Sequence, residues 1–135
     1  MFAGKNKLKV FLIIAIIVIF AVAAYFIHYM MSVNSYQERV RGTIVSDVDT
    51  SAIPDGSYIG EYDVGFIYAK VEVFIESGKI TDIRILEHRN DRGMTAESIV
   101  DSIISNQTID VDAVSGATNS STVIKKAIEL ALLQD

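Results

Sequence analysis

The sequence is poor in the residues that build several common kinds of functional site. Its 135 residues include no cysteine, one proline and two histidines. The absence of cysteine excludes disulfides, thiolate metal sites, cysteine nucleophiles and a lipid attached through a thioether. We therefore predict no metal site.

Positive charge is scarce beyond residue 54. Residues 55–135 contain seven Lys and Arg against fourteen Asp and Glu, a formal net charge of −7. Nucleic acids and anionic lipid surfaces repel such a segment, because both carry dense negative charge. This part of the chain is therefore predicted to bind no nucleic acid.

Apolar residues are concentrated in one run, residues 10–31, with the sequence "VFLIIAIIVIFAVAAYFIHYMM". As a helix this run would be about 33 Å long, and a bilayer has a hydrocarbon core of about 30 Å. Four rings near its C-terminal end are suited to the membrane interface: Tyr25, Phe26, His28 and Tyr29. The run predicts a transmembrane helix at 10–31.

A cleaved signal peptide is the alternative interpretation of this N-terminal run. Three lysines form a positive n-region, and Ala21-Val22-Ala23 resembles a cleavage site. However, the apolar run continues for eight residues beyond Ala23, which favours an uncleaved anchor. Both alternatives predict that the rest of the chain is exported.

The charges that flank the run predict its orientation. The lysines before it outnumber the two arginines that follow it, Arg39 and Arg41. By the positive-inside tendency, residues 1–9 are expected in the cytoplasm and residues 55–135 outside it. Residues 32–54 would form a juxtamembrane linker, whose first part can extend the membrane helix as far as Gly42.

The exported segment shows first a strand pattern and then a helix pattern. A short strand is predicted near 57–62, followed by a hairpin with arms at 68–75 and 80–85 and a turn at Ser77-Gly78. In the first arm, alternation places four apolar residues on one face: Ala69, Val71, Val73 and Ile75.

Two helices are predicted after the hairpin. Thr95 is a candidate N-cap for the first, and "TIDVDAV" at 108–114 predicts a short strand between them. The last helix carries one apolar stripe: Val123, Ile124, Ala127, Ile128, Ala131 and Leu132. The fold class is α+β, a small antiparallel sheet packed with two or three helices and preceded by one transmembrane helix.

Small polar residues collect immediately before the last helix, in "DAVSGATNSST" at 112–122. Gly116 permits backbone angles that other residues avoid, and Asn119, Ser120 or Ser121 could cap the helix. The free N–H groups and the dipole of a helix N-terminus hold a phosphate readily. On spacing alone, an ordinary serine-rich N-cap is the favoured explanation of the pattern.

The segment Asp112-Ala-Val-Ser115-Gly116-Ala117-Thr118 resembles the Asp-x-x-Ser/Thr-Gly-Ala-Thr signature of the FMN-binding domain family. This family includes the flavin-carrying subunits of sodium-pumping NADH:quinone reductases and of Rnf-type complexes. The resemblance implies that FMN is joined to Thr118 by a phosphoester bond. A separate flavin transferase would read the signature and take the FMN from FAD.

The resemblance extends over roughly residues 54–133. "DGSYIGEYD", the hairpin with "SGKITDI", "HRNDRG" and the signature occur in the order that the family shows. The chain is much shorter than the large respiratory subunits and is similar to compact, single-domain members on the outside of bacterial membranes. The resemblance implies an electron carrier whose donor is a membrane quinol or another redox protein.

A second candidate segment is "HRNDRGM", at 88–94, which combines hydrogen-bond donors with a glycine. His88 and Arg92 could lie near the flavin ring or the phosphate, and Gly93 could let the ring approach the backbone; a solvated loop is the alternative. The candidate FMN-binding residues are Asp112, Ser115, Gly116, Ala117, Thr118, Asn119, Ser120, Ser121, His88, Arg92 and Gly93.

Two other functions remain open from the sequence. One is a membrane-tethered sensor or interaction module that keeps the fold without flavin. The other is a flavin enzyme with its own substrate, which the sequence disfavours, because His88 is the domain's only obvious proton donor near neutral pH and no substrate domain is recognisable. No catalytic residue is therefore assigned.

Overall fold

The computed structural model describes residues 2–90 and 93–134. The chain divides into two compact units, residues 1–35 and residues 36–135. Its main elements are α1 (Phe2–Gly42), β1 (Gly56–Asp63), β2 (Tyr68–Glu76), β3 (Lys79–Arg89), α2 (Ile99–Asn106) and α3 (Thr118–Leu132). Short 3-10 helices lie at Thr50–Ala52 and Met94–Ser98.

Helix α1 contains the apolar run and continues beyond it to Gly42, as the sequence predicts. By length and composition it can cross a membrane, and the side chains of its most apolar part are exposed. Those criteria also admit a signal sequence near the N-terminus. Helix α1 is therefore a candidate membrane span.

The three strands form one antiparallel sheet in the order β1-β2-β3. The predicted hairpin is confirmed: Glu76 pairs with Lys79 across a turn in which Ser77 and Gly78 both have positive φ, 50° and 73°. Two positive φ values define the type I′ turn that matches the twist of paired strands. Along β2 the predicted alternation also holds, with one face fully buried: Ala69, Val71, Val73 and Ile75.

Helix α3 covers the buried face of the sheet with the predicted apolar stripe, every member of which is buried. The closest approach is at Gly60 of β1. A Cβ atom at this position would lie only 2.8 Å from the Cα of Ala131 and would overlap the α3 backbone at Ala127. The helix can reach this depth because β1 has no side chain there.

Two local predictions for the segment before α3 are wrong. Helix α2 begins at Ile99 after a 3-10 turn, so Thr95 lies inside that turn and does not cap the helix. The predicted strand at 108–114 is irregular. Its backbone is paired with side chains instead of a neighbouring strand, since Ile109 N donates to Asp47 (2.8 Å) and Lys125 Nζ donates to the carbonyl of Val111 (2.6 Å).

The segment 43–54, within the predicted linker, is fastened to the domain by hydrogen bonds. Asp47 accepts from Ile109 N and from the Thr108 hydroxyl (2.7 Å). The backbone N–H of Ser46 donates to Glu129 of α3 (3.2 Å). Glu129 is buried and is paired with Lys126, 3.0 Å away, which also binds the carbonyl of Ile44.

We expect Gly60→Ala to lower the free energy of unfolding by about 3 kcal/mol, because the added methyl group overlaps the α3 backbone. The measurement is thermal and denaturant unfolding of the full chain in detergent. Gly42→Ala is the matched control, since a Cβ there meets no atom within 4 Å. Equal stabilities for the two variants would contradict the close packing of α3 on β1.

The hydrogen bonds that the Asp47 carboxylate accepts are expected to weaken in acid. Burial opposes its charge, but hydrogen bonds from Ile109, Thr108 and Val48 outweigh that effect and hold the pKa of Asp47 below its ordinary value of 3.8. A lowered carboxyl pKa stabilises the fold above the unfolded pKa, and this stabilisation is lost as the pH falls through the folded pKa. Because Asp47 is exposed and water screens its charge, Asp47→Asn should cost only about 0.5 kcal/mol near neutral pH.

The difference between wild type and Asp47→Asn should shrink as the pH falls below 3.8, because the protonated acid then resembles the amide. Asp110→Asn serves as the control, since the Asp110 side chain accepts no hydrogen bond in the described part of the chain. A pH-independent difference would argue against a charge-dependent contact at Asp47.

Candidate functional site

The start of α3 is built by a tight turn over Val114–Ala117. Ala117 N donates to the carbonyl of Val114 (3.0 Å), and Gly116, third in the turn, has φ of 78°. A positive φ at this position defines a type II turn and favours glycine. No atom lies within 4 Å of a Cβ at Gly116, so the glycine is required by the backbone angle rather than by close packing.

Thr118 is the first residue of α3, and it is exposed. Its carbonyl accepts from the Thr122 hydroxyl (3.0 Å), whereas its own hydroxyl has no hydrogen-bond partner among the described residues. The backbone N–H groups of Thr118, Asn119 and Ser120 lie in the first turn, where no preceding helical carbonyl is available. The first turn contains no acidic residue. This helix end is suited to an anionic group.

The serines and the asparagine of the motif do not cap the helix as predicted. The N-cap residue is Ala117, which is buried and makes no side-chain cap hydrogen bond. Asn119 is half-buried and Ser120 is buried within the first turn. Ser121 is fully buried, and its hydroxyl accepts from Val114 N (3.0 Å), which ties the turn to the helix. The helix therefore begins earlier than capping preferences indicate.

Asp112 and Ser115 flank the turn and are exposed. Within residues 2–90 and 93–134, neither side chain makes a hydrogen bond to the start of α3. Both side chains are therefore accessible to another molecule.

The structure brings the second candidate segment against the first turn of α3. Gly93 lies directly against Ser120: a Cβ at 93 would be 2.5 Å from Ser120 Cβ and would overlap its hydroxyl. Gly93 N donates to the Asn90 side chain (3.0 Å), which ties Gly93 to the residue that follows β3. Gly93 and Ser120, predicted separately, therefore meet. Arg92 lies outside the described residues.

His88 lies at the end of β3, opposite Ala69 on the buried face of the sheet. Its side chain is 1% exposed, and its Nδ1 lies 3.0 Å from a carboxylate oxygen of Glu97. Its Nε2 is buried without a hydrogen-bond partner among the described residues. Glu97 was not predicted as a site residue, because a separation of nine residues from His88 carries no periodic signal.

No group of three or more potential ligand side chains that could hold a metal ion occurs in the described ranges. The site therefore combines an exposed hydroxyl, a turn of free N–H groups and one buried, unpaired imidazole nitrogen. An α+β domain with these features is a candidate binder of a phosphorylated cofactor.

A family model for the FMN-binding domain matches residues 64–133, slightly more than half of the chain. The chain belongs to the FMN-binding domain family. The match includes β2, β3, α2 and α3 but begins after β1, later than the residue 54 from which the resemblance extends. No curated protein matches the chain. The site fits FMN, because its helix end can hold a phosphate and its buried imidazole nitrogen needs a partner.

Gly93→Ala should destabilise the protein by about 2 kcal/mol, because the new methyl group overlaps Ser120. Adding Ser120→Gly removes the overlapping atoms, so the double variant should be more stable than the summed single losses by about 1 kcal/mol. Denaturant unfolding of the four proteins checks this double-mutant cycle. If the stability losses of the two single variants add up to that of the double variant, Gly93 and Ser120 are not in contact.

Proposed function

We propose that the protein is a membrane-anchored extracytoplasmic flavoprotein that carries FMN on Thr118 through a phosphoester bond and acts in electron transfer. The observation that carries the proposal is the exposed, unpartnered hydroxyl of Thr118 in the first turn of α3. A phosphate esterified at this atom would lie beside the free N–H groups of the same turn. The first turn of α3 would then provide both the oxygen that attaches the cofactor and the N–H groups that bind its phosphate.

Burial distinguishes Thr118 from the neighbouring hydroxyls. Ser120 and Ser121 are 3% and 0% exposed, so a transferase cannot reach them in the folded domain. The Thr122 hydroxyl is half-buried and donates to the Thr118 carbonyl. Ser115 is exposed, but it lies in the turn before the helix. Thr118 alone among these combines exposure with a place in the first helical turn.

When bound, FMN supplies one- and two-electron transfer. The chain's own residues would bind and orient the cofactor. The N–H groups of Thr118, Asn119 and Ser120 would face the phosphate, and the positive end of the α3 dipole would favour its charge. A bond through the phosphate leaves the flavin ring free to exchange electrons and prevents loss of the cofactor outside the cell.

The proposal also includes a membrane anchor, an enzyme that attaches the FMN and an electron donor. Helix α1 would be an uncleaved single-pass anchor, with residues 1–9 in the cytoplasm because of their three lysines. A flavin transferase would attach the FMN by reading Asp112 through Thr118. A membrane quinol or another redox protein would supply the electrons.

The first experiment is co-expression with a flavin transferase, followed by flavin fluorescence on a denaturing gel. We expect wild type to fluoresce and Thr118→Ala to show none, because the acceptor oxygen is absent. Thr122→Ala is the matched control, since it removes a threonine hydroxyl one turn further along the same helix. The proposal fails if wild type is not fluorescent, or if Thr118→Ala fluoresces as strongly as wild type.

A further inference from the structure

The imidazole of His88 contains the one buried side-chain polar atom that has no hydrogen-bond partner in the described ranges of the chain. Leaving a buried nitrogen unpaired carries a desolvation penalty, and nearly all buried polar atoms in native proteins have a partner. Elsewhere in this domain, buried backbone groups receive side-chain partners, as Val114 N does from Ser121. The unpaired Nε2 is therefore a candidate contact for a ligand.

Glu97 determines whether Nε2 of His88 accepts or donates a hydrogen bond. Its carboxylate accepts hydrogen bonds and lies 3.0 Å from Nδ1 of His88, whereas the Asn90 amide nitrogen lies 3.5 Å from the same atom, so we assign a ring proton to Nδ1, facing the closer carboxylate. In the neutral ring Nε2 then has a lone pair and accepts a hydrogen bond. A phosphate or a carbonyl, which are acceptors themselves, cannot satisfy this atom. A ligand that pairs with Nε2 of the neutral ring therefore supplies an N–H or O–H group.

The position of His88 connects this nitrogen with the cofactor site. Glu97 belongs to the 3-10 helix that packs on α3. Asn90, two residues after His88, accepts a hydrogen bond from Gly93 N. Gly93 in turn lies against Ser120 in the first turn of α3. This is the turn that the proposed function assigns to the FMN phosphate.

We propose that His88 Nε2 accepts a hydrogen bond from the imide N–H of the isoalloxazine ring, and that Glu97 is the positioning residue that fixes the imidazole tautomer. The inference rests on the proposed function, since it places FMN at the start of α3. The imide N–H is the one ring donor present in oxidised flavin. Because the His88 side chain is 1% exposed, nearby side chains must repack when the ring arrives.

Nitrogen NMR of the histidine rings tests the inference on the wild-type chain. The protein has two histidines, His28 and His88, so His28 is an internal reference. On flavin attachment, the Nε2 resonance of His88 should move upfield, as for an acceptor that gains a hydrogen bond, and that of His28 should not. An unchanged Nε2 resonance, or a proton directly bonded to Nε2, would overturn the inference.

Unfolding of flavin-free and flavinylated protein provides the second test. His88→Leu removes the unpaired Nε2 together with the hydrogen bond from Nδ1 to Glu97, so the flavin-free variant serves as its own reference. The substitution should reduce the flavin-dependent gain in the folding equilibrium constant about fivefold. Glu97→Gln keeps an acceptor for Nδ1 and should retain more of that gain than His88→Leu. An undiminished gain in His88→Leu would contradict the inference.

The fraction of esterified protein, measured on the same samples, separates this inference from the proposed function. No esterification in wild type means that the proposed function has failed. Complete esterification with an unmoved Nε2 resonance overturns the role of His88 alone. If His88→Leu does not fold, the NMR measurement on the wild-type chain decides.

Discussion

The packing of the α3 backbone against β1 at Gly60 is the contact on which the rest of the domain depends. A glycine in the strand and alanines at 127 and 131 in the helix let the two backbones meet. This contact fixes the middle of α3 on the sheet, while the apolar stripe fixes its rotation. The residues after Gly116 then form a helix end that is partly exposed, with Thr118 outward and Ser121 inward. The site is thus a consequence of helix packing.

The domain has only three strands, and its irregular segments rely on side chains to pair their backbone groups. Gln107 forms two hydrogen bonds with Ile80 at the outer edge of β3, both 2.8 Å long. Asp47 and Lys125 pair the segment that precedes α3. Against this background, the unpaired nitrogen of His88 is an exception within the described residues. Buried polar atoms without partners are costly, which is why we propose a ligand contact at this atom.

Local patterns in the sequence predicted much of the fold. The hairpin followed from strict alternation and from Ser77-Gly78, and α3 followed from its apolar stripe. The predicted strand at 108–114 was wrong because three alternating apolar residues do not provide a strand with a partner. The contacts of Asp47, 62 residues from Ile109, and of Ser46, 83 residues from Glu129, carry no local signal.

The candidate site, like the fold, was predicted from the sequence only in part. Gly116 was predicted for the backbone angles that glycine permits, and its φ of 78° agrees with that reason. The contact of Gly93 with Ser120 and the pairing of His88 with Glu97 depend on the folded chain and were not predicted. Capping preferences placed the helix start too late, because Ser121 is used inside the fold to bind Val114 N. The cofactor itself was inferred from the signature, since spacing alone did not separate a phosphate site from a cap.

Tandem mass spectrometry of the flavinylated, proteolysed protein tests the central claim most directly. The account predicts a single modified peptide in which FMN, linked through its phosphate, is on the oxygen of Thr118, with Ser115, Ser120, Ser121 and Thr122 unmodified. FMN on another hydroxyl, or an unmodified Thr118 from cells that contain an active flavin transferase, would contradict it.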